Sequence, residues 1–305
     1  MPARWAAADM AGQHGRTALV TGANSGIGFH QVLELARHGA CVLLASRDPG
    51  RGQAARDAIM AELPAASVEL VQLDLADLDS VARLAGRLLD RAGGLDLLIN
   101  NAGLMAVPRR QVTAQGFELQ FGTNYLGHFA LTGRLLPALL RRPGSRVVTV
   151  SSLVHRLGSI RLDDLQSEHG YGPWRAYSQS KLANALFTEE LDRRLRAAGA
   201  GPLSIGAHPG YSRTGLLSSG PRLGGGGGVS ALVLRLGTRF AGQSAARGAL
   251  PVLRAATDPQ AHGGDYYGPG GPGSRAPPAR SATPGKPMTS SSPAASGRPP
   301  RHSPA

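Results

Sequence analysis

The sequence is almost free of lysine. It contains 33 lysine and arginine residues, yet only Lys181 and Lys286 are lysines, and arginine fills every other basic position. Lys286 lies in a stretch rich in proline, serine and glycine, so Lys181 is the one lysine in the part of the chain that we expect to fold. Because a compact ammonium and a planar guanidinium are not interchangeable, Lys181 is a candidate functional residue.

Cysteine and long apolar runs are scarce as well. Cys41 is the single cysteine, which excludes an internal disulfide framework and suits a reducing compartment. We interpret it as a core residue at the start of a strand rather than as a nucleophile. No apolar run approaches the roughly 18 residues of a membrane span, and the first residues do not resemble a signal peptide. We therefore expect a cytoplasmic protein without a membrane span.

Aromatic residues make up only 5% of the chain, and none interleaves with a basic run. The stacking platforms of proteins that bind single-stranded nucleic acid are therefore missing. The net charge is +13 and the pI is 11.1, but five of the charges lie in a terminal stretch without acidic residues. Elsewhere arginines alternate with acids, as in residues 189–194, so we expect no nucleic-acid partner.

Short apolar strands alternate with helical patterns along most of the chain. We predict strands over Thr17–Thr21, Cys41–Ala45, Val68–Leu73, Leu95–Ile99, Arg146–Val150 and Leu203–Ala207, and helices over 50–62, 77–92, about 113–140 and 176–198, with another after the glycines that follow the first strand. This alternation predicts an α/β fold, a single Rossmann-like doubly wound parallel sheet in three α/β/α layers. Ligands of such sheets bind beyond the carboxyl ends of the strands.

Composition sets the expected domain boundaries. We expect residues 1–15 to be a flexible leader, residues 16–268 the Rossmann-fold domain, and residues 269–305 a disordered tail rich in proline, serine, glycine and arginine. Within the domain, residues of about 211–245 are expected to form a substrate lid with a run of five glycines as a flexible hinge. The last strand is predicted at 264–268.

Tyr177 and Lys181 are four residues apart at the start of a helical pattern, so their side chains share one helix face. A buried ammonium beside a phenol lowers the pKa of the phenol and makes it a usable proton donor and acceptor. The alternative is an ordinary contact on a helix surface. The pair alone does not decide between these interpretations.

A glycine-rich turn joins the first strand to the next helix. It contains Gly22, Gly26 and Gly28 and follows directly on Thr21. Glycines permit a tight turn and close backbone approach, while the first N–H groups of the helix face an anion. The order of strand, glycine turn and helix therefore indicates a phosphate-binding loop.

Five local motifs in this order resemble the short-chain dehydrogenase/reductase family of the classical type. They are Thr21–Gly28, Asn100–Gly103, Gly122–Phe129, Val150–Leu153 and Tyr177–Lys181, and the resemblance covers roughly residues 15–268. Within the family the chain is similar to the retinol-dehydrogenase-like and WW-domain-oxidoreductase-like branch.

The resemblance implies a catalytic tetrad of Asn124, Ser152, Tyr177 and Lys181. Tyr177 would exchange a proton with the carbonyl or hydroxyl oxygen of the substrate, and Ser152 would hold that oxygen. Lys181 would lower the pKa of Tyr177 and bind the nicotinamide ribose, while Asn124 would hold a water in a proton relay. The choice of Ser152 over Ser151 depends on alignment with the family.

The resemblance also implies the cofactor contacts. NADP is favoured over NAD because Ser46 and Arg47 stand where NAD enzymes carry an acid, and we interpret Asp48 as a turn residue. The remaining implied contacts are Gly22, Asn24, Ser25, Gly26, Ile27, Gly28, Asp74, Leu75, Asn101, Ala102, Gly103, Pro209, Gly210 and Thr214, together with Tyr177 and Lys181 of the tetrad. No group of residues has metal-ligand spacing.

The resulting hypothesis is an NADP-dependent oxidoreductase that transfers a hydride between the nicotinamide and a carbonyl or alcohol of a lipophilic small molecule. The alternative is a nucleotide-binding protein of the same fold that has little catalysis and acts through a protein partner. His128, His155 and His208 are not required by the implied tetrad. A homo-oligomer is possible on this hypothesis.

Overall fold

The computed structural model describes residues 5–91, 93–210 and 244–269 and the backbone of residues 275 and 276. Strands and helices alternate as the sequence predicts. The strands are β1 (Thr17–Thr21), β2 (Cys41–Ser46), β3 (Ser67–Gln72), β4 (Leu97–Asn100), β5 (Arg146–Val150), β6 (Leu203–Ala207), β7 (Tyr266–Tyr267) and β8 (Arg275–Ala276). The helices are α1 (Gly26–Arg37), α2 (Pro49–Glu62), α3 (Leu78–Leu89), α4 (Leu119–Phe121), α5 (Gly127–Leu140), α6 (Pro173–Ala197) and α7 (Ala245–Thr257).

The strands form one sheet in the order β3-β2-β1-β4-β5-β6-β7-β8. Strands β1 to β7 pair in parallel, and the short β8 pairs antiparallel to β7. One apolar cluster packs α1 and α7 on one face of the sheet, and a second cluster packs α3 and α5 on the other. The predicted doubly wound, three-layer fold is confirmed. The order of the strands reverses between β1 and β4, where such folds bind ligands.

Strand β1 shows why the strands are almost continuously apolar. Ala18, Leu19 and Val20 are all fully buried. Ala18 and Val20 belong to the cluster under α1 and α7, whereas Leu19 belongs to the cluster under α3 and α5. Successive side chains point to opposite faces, and both faces are covered by helices, so each position must be apolar.

The predicted helix over about 113–140 is shorter and less regular than expected. Thr113–Gly116 makes a turn in which Gly116 has φ +83°, and α4 begins only at Leu119. The buried carboxylate of Glu118 accepts hydrogen bonds from the first amides of α4. A π-helical turn, Gly122–Leu126, then separates α4 from α5. Apolar periodicity does not distinguish this turn from an α-helix, and for that reason the sequence prediction missed it.

Described residues of the predicted leader and tail contact the rest of the structure, and the predicted domain boundaries stay a prediction. Met10, in the predicted leader, is buried in the core, and the amide of Gln13 donates to the carbonyl of His38 at 2.7 Å. In the predicted disordered tail, the backbone of residues 275 and 276 pairs with β7. The other residues after 269, and most of the predicted lid (residues 211–243), lie outside the described part of the chain.

The length and polarity of the helices show whether any of them could span a membrane. Within residues 5–91, 93–210 and 244–269, no helix combines the length and the apolar character that crossing a bilayer requires. The cytoplasmic location inferred from the sequence stays a prediction.

Asp96 ties the start of the sheet to the helix layer. Its buried carboxylate accepts from the amide of Thr17 at 2.8 Å and from Arg142 Nε at 2.9 Å. We expect Asp96→Ala to lower the free energy of unfolding by about 2–4 kcal/mol, because a buried donor loses its acceptor. Urea titration measures the change. Asp90→Ala, at the exposed end of α3, is the matched control and should stay within about 0.5 kcal/mol; equal effects would contradict this role for Asp96.

Candidate active site

The glycine loop, residues 22–25, connects β1 to the first turn of α1. Gly22 has φ +65°, and a Cβ there would lie 2.8 Å from the Cβ of Ala102, so only glycine fits beside the end of β4. Ser25 precedes α1 but makes no side-chain hydrogen bond to the helix. The first amides of α1, among them those of Ile27 and Gly28, are therefore not capped by Ser25, and their N–H groups and the helix dipole suit an anion.

Asn101 fixes this loop rather than projecting from it. Its Nδ2 donates to the carbonyl of Thr21 at 2.8 Å, and its Oδ1 accepts from Gln31 Nε2 at 3.3 Å. A Cβ on Gly28 would lie 2.7 Å from Asn101 Nδ2. Asn101 thus lies beside the glycine loop, and its side-chain amide is occupied by the protein. Its contact with the adenosine side of a cofactor stays a prediction.

At the end of β2, Arg47 is exposed to solvent, whereas the carboxylate of Asp48 is used within the protein. Asp48 caps α2 by accepting from the amide of Arg51 at 3.0 Å, and the buried Ser46 donates its hydroxyl to the carbonyl of Asp48 at 2.8 Å. Arg47 is exposed, and no acidic side chain within the described ranges forms an ion pair with it. This geometry supports the interpretation of Asp48 as a turn residue.

Asp74 and Leu75 lie just beyond the end of β3. Asp74 Oδ1 accepts from the amide of Ala76 at 2.9 Å, and the amide of Asp74 donates to Ser80 Oγ at 3.0 Å. Helix α5 approaches this segment so closely that a Cβ on Gly127 would overlap the carbonyl oxygen of Leu75. The two residues thus stand at the carboxyl edge of the sheet, as the sequence predicts.

Tyr177 and Lys181 lie on one face of α6, and both are buried. Lys181 Nζ donates to the carbonyl of Val150, at the end of β5, at 2.9 Å and lies 5.9 Å from the ring centroid of Tyr177. A Cβ on Gly103 would lie 3.5 Å from Lys181 Nζ and 3.2 Å from Asn124 Oδ1. Both polar groups therefore lie beside the position that a side chain at Gly103 would occupy. The alternative interpretation, an ordinary contact on a helix surface, is wrong because both side chains are buried.

The pKa values of the pair differ from the sequence-based expectation. Burial raises the pKa of Tyr177 to about 12, and a hydrogen bond with Ser152 acts in the opposite direction. Removing a phenolate from water outweighs this hydrogen bond, so the pKa of Tyr177 is raised overall. Burial lowers the pKa of Lys181 itself to about 8. The predicted influence of Lys181 on the pKa of Tyr177 stays a prediction.

Ser151 and Ser152 have separate roles at the end of β5. Ser151 is buried, and its hydroxyl donates to the carbonyl of Lys181 at 2.7 Å. Ser152 is half-buried, and its hydroxyl lies beside the hydroxyl of Tyr177. Ser151 thus holds α6 against the sheet, whereas Ser152 faces the Tyr177 side. The geometry supports Ser152 as the residue of the tetrad.

Asn124 sits in the middle of the π-helical turn and is fully buried. Its Oδ1 accepts from the amide of Leu104 at 2.7 Å, and its Nδ2 donates to the carbonyl of Leu104 at 2.9 Å and to Ser180 Oγ at 3.0 Å. Ser180 in turn donates to the carbonyl of Tyr177 at 2.7 Å. Both amide donors of Asn124 are used, so a relay water would have to donate to its oxygen atoms. π-Helical turns of this kind occur frequently at functional sites.

The last predicted cofactor residues follow β6. Gly210 has φ +67°, and its amide donates to His208 Nδ1 at 3.1 Å, which holds the Pro209–Gly210 turn at the end of the strand. Thr214 lies outside the described residues. Within the described ranges no group of His, Cys, Asp and Glu could hold a metal ion.

The sequence matches the short chain dehydrogenase family model over residues 16–219. The chain belongs to this family. It is 46% identical to human retinol dehydrogenase 13 over 201 residues, which cover 66% of this chain and 60% of the relative. It is 42% identical to mouse polyprenol dehydrogenase over 259 residues, 82% of this chain and 74% of the relative. The predicted retinol-dehydrogenase-like branch is confirmed, and the match spans less than two thirds of the length of the retinol dehydrogenase.

Solved structures of similar chains agree with this placement in the short-chain dehydrogenases. An uncharacterized protein from Mycobacterium paratuberculosis is 46% identical, with a TM-score of 0.70, and the match covers 88% of this chain and 85% of that protein. An NAD(P)-dependent gluconate 5-dehydrogenase from Beutenbergia cavernae, solved with bound NADP, is 27% identical with a TM-score of 0.62, covering 81% and 91%. The fold is therefore that of the short-chain dehydrogenases.

Two histidines of this short-chain dehydrogenase have partners at the site that the motifs do not reveal. His128 Nδ1 contacts the carbonyl of Asn124 at 2.9 Å, and His155 Nδ1 contacts the carbonyl of Ser152 at 2.5 Å. Both rings are buried. His128 lies within the Gly122–Phe129 motif, four residues after Asn124, and His155 lies three residues after Ser152. These positions could have pointed to the two histidines, but they do not indicate the partners.

The separation of the two serines can be tested directly. We expect Ser152→Ala to lower kcat by about 10²–10⁴-fold with little change in Tm, because it removes the hydroxyl beside Tyr177. Ser151→Ala is the matched control: it should lower the free energy of unfolding by about 1 kcal/mol and leave most of kcat. Steady-state kinetics and thermal melts of both variants decide. A larger loss of kcat in Ser151→Ala would reverse the assignment.

Proposed function

We propose that the chain is an NADP-dependent oxidoreductase that interconverts a carbonyl and an alcohol of a lipophilic small molecule. One observation carries the proposal: a buried ammonium, Lys181, and a buried phenol, Tyr177, share a helix face beside Ser152 at the carboxyl edge of the sheet. A buried lysine without an acidic partner within the described ranges is costly to the fold, and perturbed groups of this kind cluster at functional sites.

The residues around the glycine loop fit a dinucleotide. The amides at the start of α1 are not capped by Ser25, and Gly22 keeps the loop against Ala102 without a side chain in between. The first turn of α1 would hold the pyrophosphate, Asp74 and Leu75 the adenine side, and Lys181 the nicotinamide ribose. When bound, the nicotinamide supplies or accepts the hydride.

Tyr177 is the proton donor in this proposal. Because burial raises its pKa to about 12, the hydroxyl is protonated near neutrality and can donate to the carbonyl oxygen during reduction. Ser152 holds that oxygen beside Tyr177, so the proton moves from Oη to the substrate oxygen as the carbonyl carbon becomes saturated. In oxidation Tyr177 must first lose its own proton, and the phenolate then accepts the proton of the substrate hydroxyl.

Lys181 supplies positive charge close to this transfer. Burial lowers the pKa of Lys181 to about 8, so its ammonium is charged at neutral pH. One of its three donors is used on the carbonyl of Val150. The remaining donors are available to ribose hydroxyls and to a water held by the oxygen atoms of Asn124, which would return a proton to Tyr177 after reduction.

Arg47 supports NADP as the cofactor. It is exposed at the end of β2, and the neighbouring carboxylate of Asp48 is used to cap α2. An acid in that position would accept from the ribose 2′-hydroxyl of NAD, whereas an unpaired arginine suits a 2′-phosphate. The NADP bound to the related gluconate 5-dehydrogenase is in line with this choice.

Exposed apolar side chains close in sequence to Tyr177 and Ser152 support a lipophilic substrate. Trp174, three residues before Tyr177, is partly exposed, and its ring meets the ring of Tyr177 edge-on at 6.1 Å. Leu157 and Leu162, which follow Ser152 in the chain, are exposed. The names of the relatives, retinol and polyprenol dehydrogenase, point to isoprenoid alcohols and aldehydes as the first compounds to test.

The proposal is tested by following NADPH and NADH oxidation with retinal, a polyprenal and a short aliphatic aldehyde. We expect turnover with NADPH and a higher kcat/KM for the isoprenoid aldehydes. Tight NADPH binding without turnover on any aldehyde would favour the alternative, a nucleotide-binding protein that acts through a partner.

Arg47→Asp tests the cofactor choice. We expect the ratio of the NADPH to the NADH dissociation constant to rise by about 10–100-fold, because a charge-assisted phosphate contact of about 1.5–3 kcal/mol is lost. Fluorescence titration measures both constants, and displacement by 2′,5′-ADP reports the phosphate site alone. Arg134→Asp on the exposed side of α5 is the control for net charge. An unchanged ratio in Arg47→Asp means that another residue reads the phosphate.

Lys181→Arg tests the ammonium. The charged form of Lys181 exists below its pKa of about 8 and is lost above it, so we expect the wild-type kcat/KM for reduction to fall as pH rises through about 8. In Lys181→Arg the charge persists to higher pH, and this limb should shift to alkaline values. The different reach of the guanidinium should lower kcat/KM at least about tenfold.

Lys286→Arg, at the only other lysine, is the matched control for the pH profiles and should match the wild type. A Lys181→Arg variant with wild-type kcat/KM and an unshifted profile would remove Lys181 from the mechanism.

A further inference from the structure

The imidazole of His128 connects two parts of the site that are far apart in the chain. His128 is buried on the first turn of α5. Its Nδ1 lies 2.9 Å from the carbonyl oxygen of Asn124, and its Nε2 lies 2.9 Å from Thr21 Oγ1. Thr21 is the last residue of β1 and leads directly into the glycine loop. The ring therefore bridges the π-helical turn of Asn124 and the start of that loop.

These partners define one tautomer of the ring. A carbonyl oxygen only accepts, so Nδ1 must carry the hydrogen, and Nε2 of a neutral ring must then accept the hydroxyl hydrogen of Thr21. Thr21 Oγ1 is left to accept from the amides of Asn101 and Ala102, which lie 2.9 and 3.0 Å away. The hydroxyl of Thr21 also lies 3.3 Å from the carbonyl oxygen of Ile99, but its shorter contact with Nε2 gives both nitrogen atoms of the ring a partner.

The charge state of the ring agrees with the tautomer. Burial lowers the pKa of His128 to about 4, and the charge of Lys181 acts in the same direction. The ring is therefore neutral throughout the pH range in which the site would work, and it is not itself a proton donor in the reaction. Its hydrogen bonds are fixed rather than switched by pH.

Asn124 connects the position of the π-helical turn to Tyr177 and Lys181. Its side chain clamps the backbone of Leu104 and contacts Ser180, which binds the carbonyl of Tyr177. Its Oδ1 and Lys181 Nζ both approach the position beside Gly103. A rotation of the Asn124 turn would therefore disturb the surroundings of both Lys181 and Tyr177.

We propose that His128 is a positioning residue that locks the π-helical turn of Asn124 to the end of β1, and thereby fixes the tetrad relative to the glycine loop. The inference rests on the proposed function for its catalytic consequence. Its structural consequence, the environment of Lys181, does not depend on turnover and can be measured in the absence of a substrate.

Three substitutions separate the two contacts of the ring. His128→Phe keeps a planar ring but removes both hydrogen bonds. His128→Asn places a donor at the position of Nδ1 and can keep the bond to Asn124, whereas His128→Gln reaches the position of Nε2 and can keep the bond to Thr21. His262→Phe, at an exposed histidine, is the control for the chemical change itself.

We expect His128→Phe to lower kcat by at least about tenfold, because small displacements of catalytic groups are costly, while the Kd for NADPH changes less. His128→Asn and His128→Gln each keep only one of the two contacts, so neither restores the bridge and both should leave kcat clearly below that of the wild type. A wild-type kcat in His128→Asn or in His128→Gln would overturn the proposal, since a bridge requires both contacts.

Lysine titration by NMR provides the second measurement. The chain has two lysines, so selective ¹³C-lysine labelling gives two side-chain signals, and Lys286→Arg assigns them. We expect the pKa of Lys181 to move from about 8 toward its ordinary value in all three variants, because release of the Asn124 turn exposes the ammonium to water. An unchanged titration contradicts the proposal. If His128→Phe does not fold, His128→Asn and His128→Gln give the same decision.

The two proposals fail in different ways. Wild-type protein that binds NADPH but reduces none of the aldehydes would contradict the proposed function, while the lysine titration would still test His128. Conversely, an active wild type whose kcat is unchanged in His128→Asn or His128→Gln would overturn the role of His128 and leave the proposed function intact.

Discussion

The burial of the Lys181 ammonium is the constraint on which the rest of the site depends. The described residues supply it with a carbonyl acceptor on Val150 but no acidic partner. A cation in this position is disfavoured by desolvation, and its pKa falls accordingly. Two further contacts hold helix α6 against the end of β5. Ser151 donates to the backbone carbonyl of Lys181, and Asn184 approaches the carbonyl of Val150. The chain has lysine at this position although every other basic residue except Lys286 is arginine.

The doubly wound sheet explains how distant motifs reach this lysine. Parallel strands end at the same edge, so the residues after β1, β4 and β5 become neighbours although they are far apart in sequence. Thr21, at the end of β1, binds two amides after β4 and the ring of His128 on α5. The core below this edge is apolar on both faces of the sheet. The polar side chains of the site thus lie at the carboxyl edge of the sheet, where backbone groups beyond the strand ends need hydrogen-bond partners.

The sequence predicts the fold and the tetrad positions better than it predicts the bonds between them. Alternating apolar runs locate β1 to β6 within about two residues, the usual limit of such boundaries. The π-helical turn at Asn124 was missed, because a single extra residue in a turn leaves the apolar period almost unchanged. The pKa of Tyr177 was expected to fall and is instead raised, because burial depth is a property of the packed structure. The role of His128 requires the register between β1 and α5, which no local motif contains.

Hydrogen-bonding capacity separates residues that hold the site from residues that can serve a ligand. The amide groups of Asn101 and Asn124 and the hydroxyls of Ser151 and Ser180 are engaged with the protein. Lys181 retains donors beyond its bond to Val150, and the contact of the Ser152 hydroxyl with a backbone amide is long, at 3.5 Å. Spare donors in a buried place lower stability, so a fold keeps them where function uses them. Ser151 and Ser152 are adjacent and chemically identical, so their roles cannot be distinguished from the sequence. The packed structure distinguishes them, because the hydroxyl of Ser151 is engaged with the protein and that of Ser152 is not fully engaged.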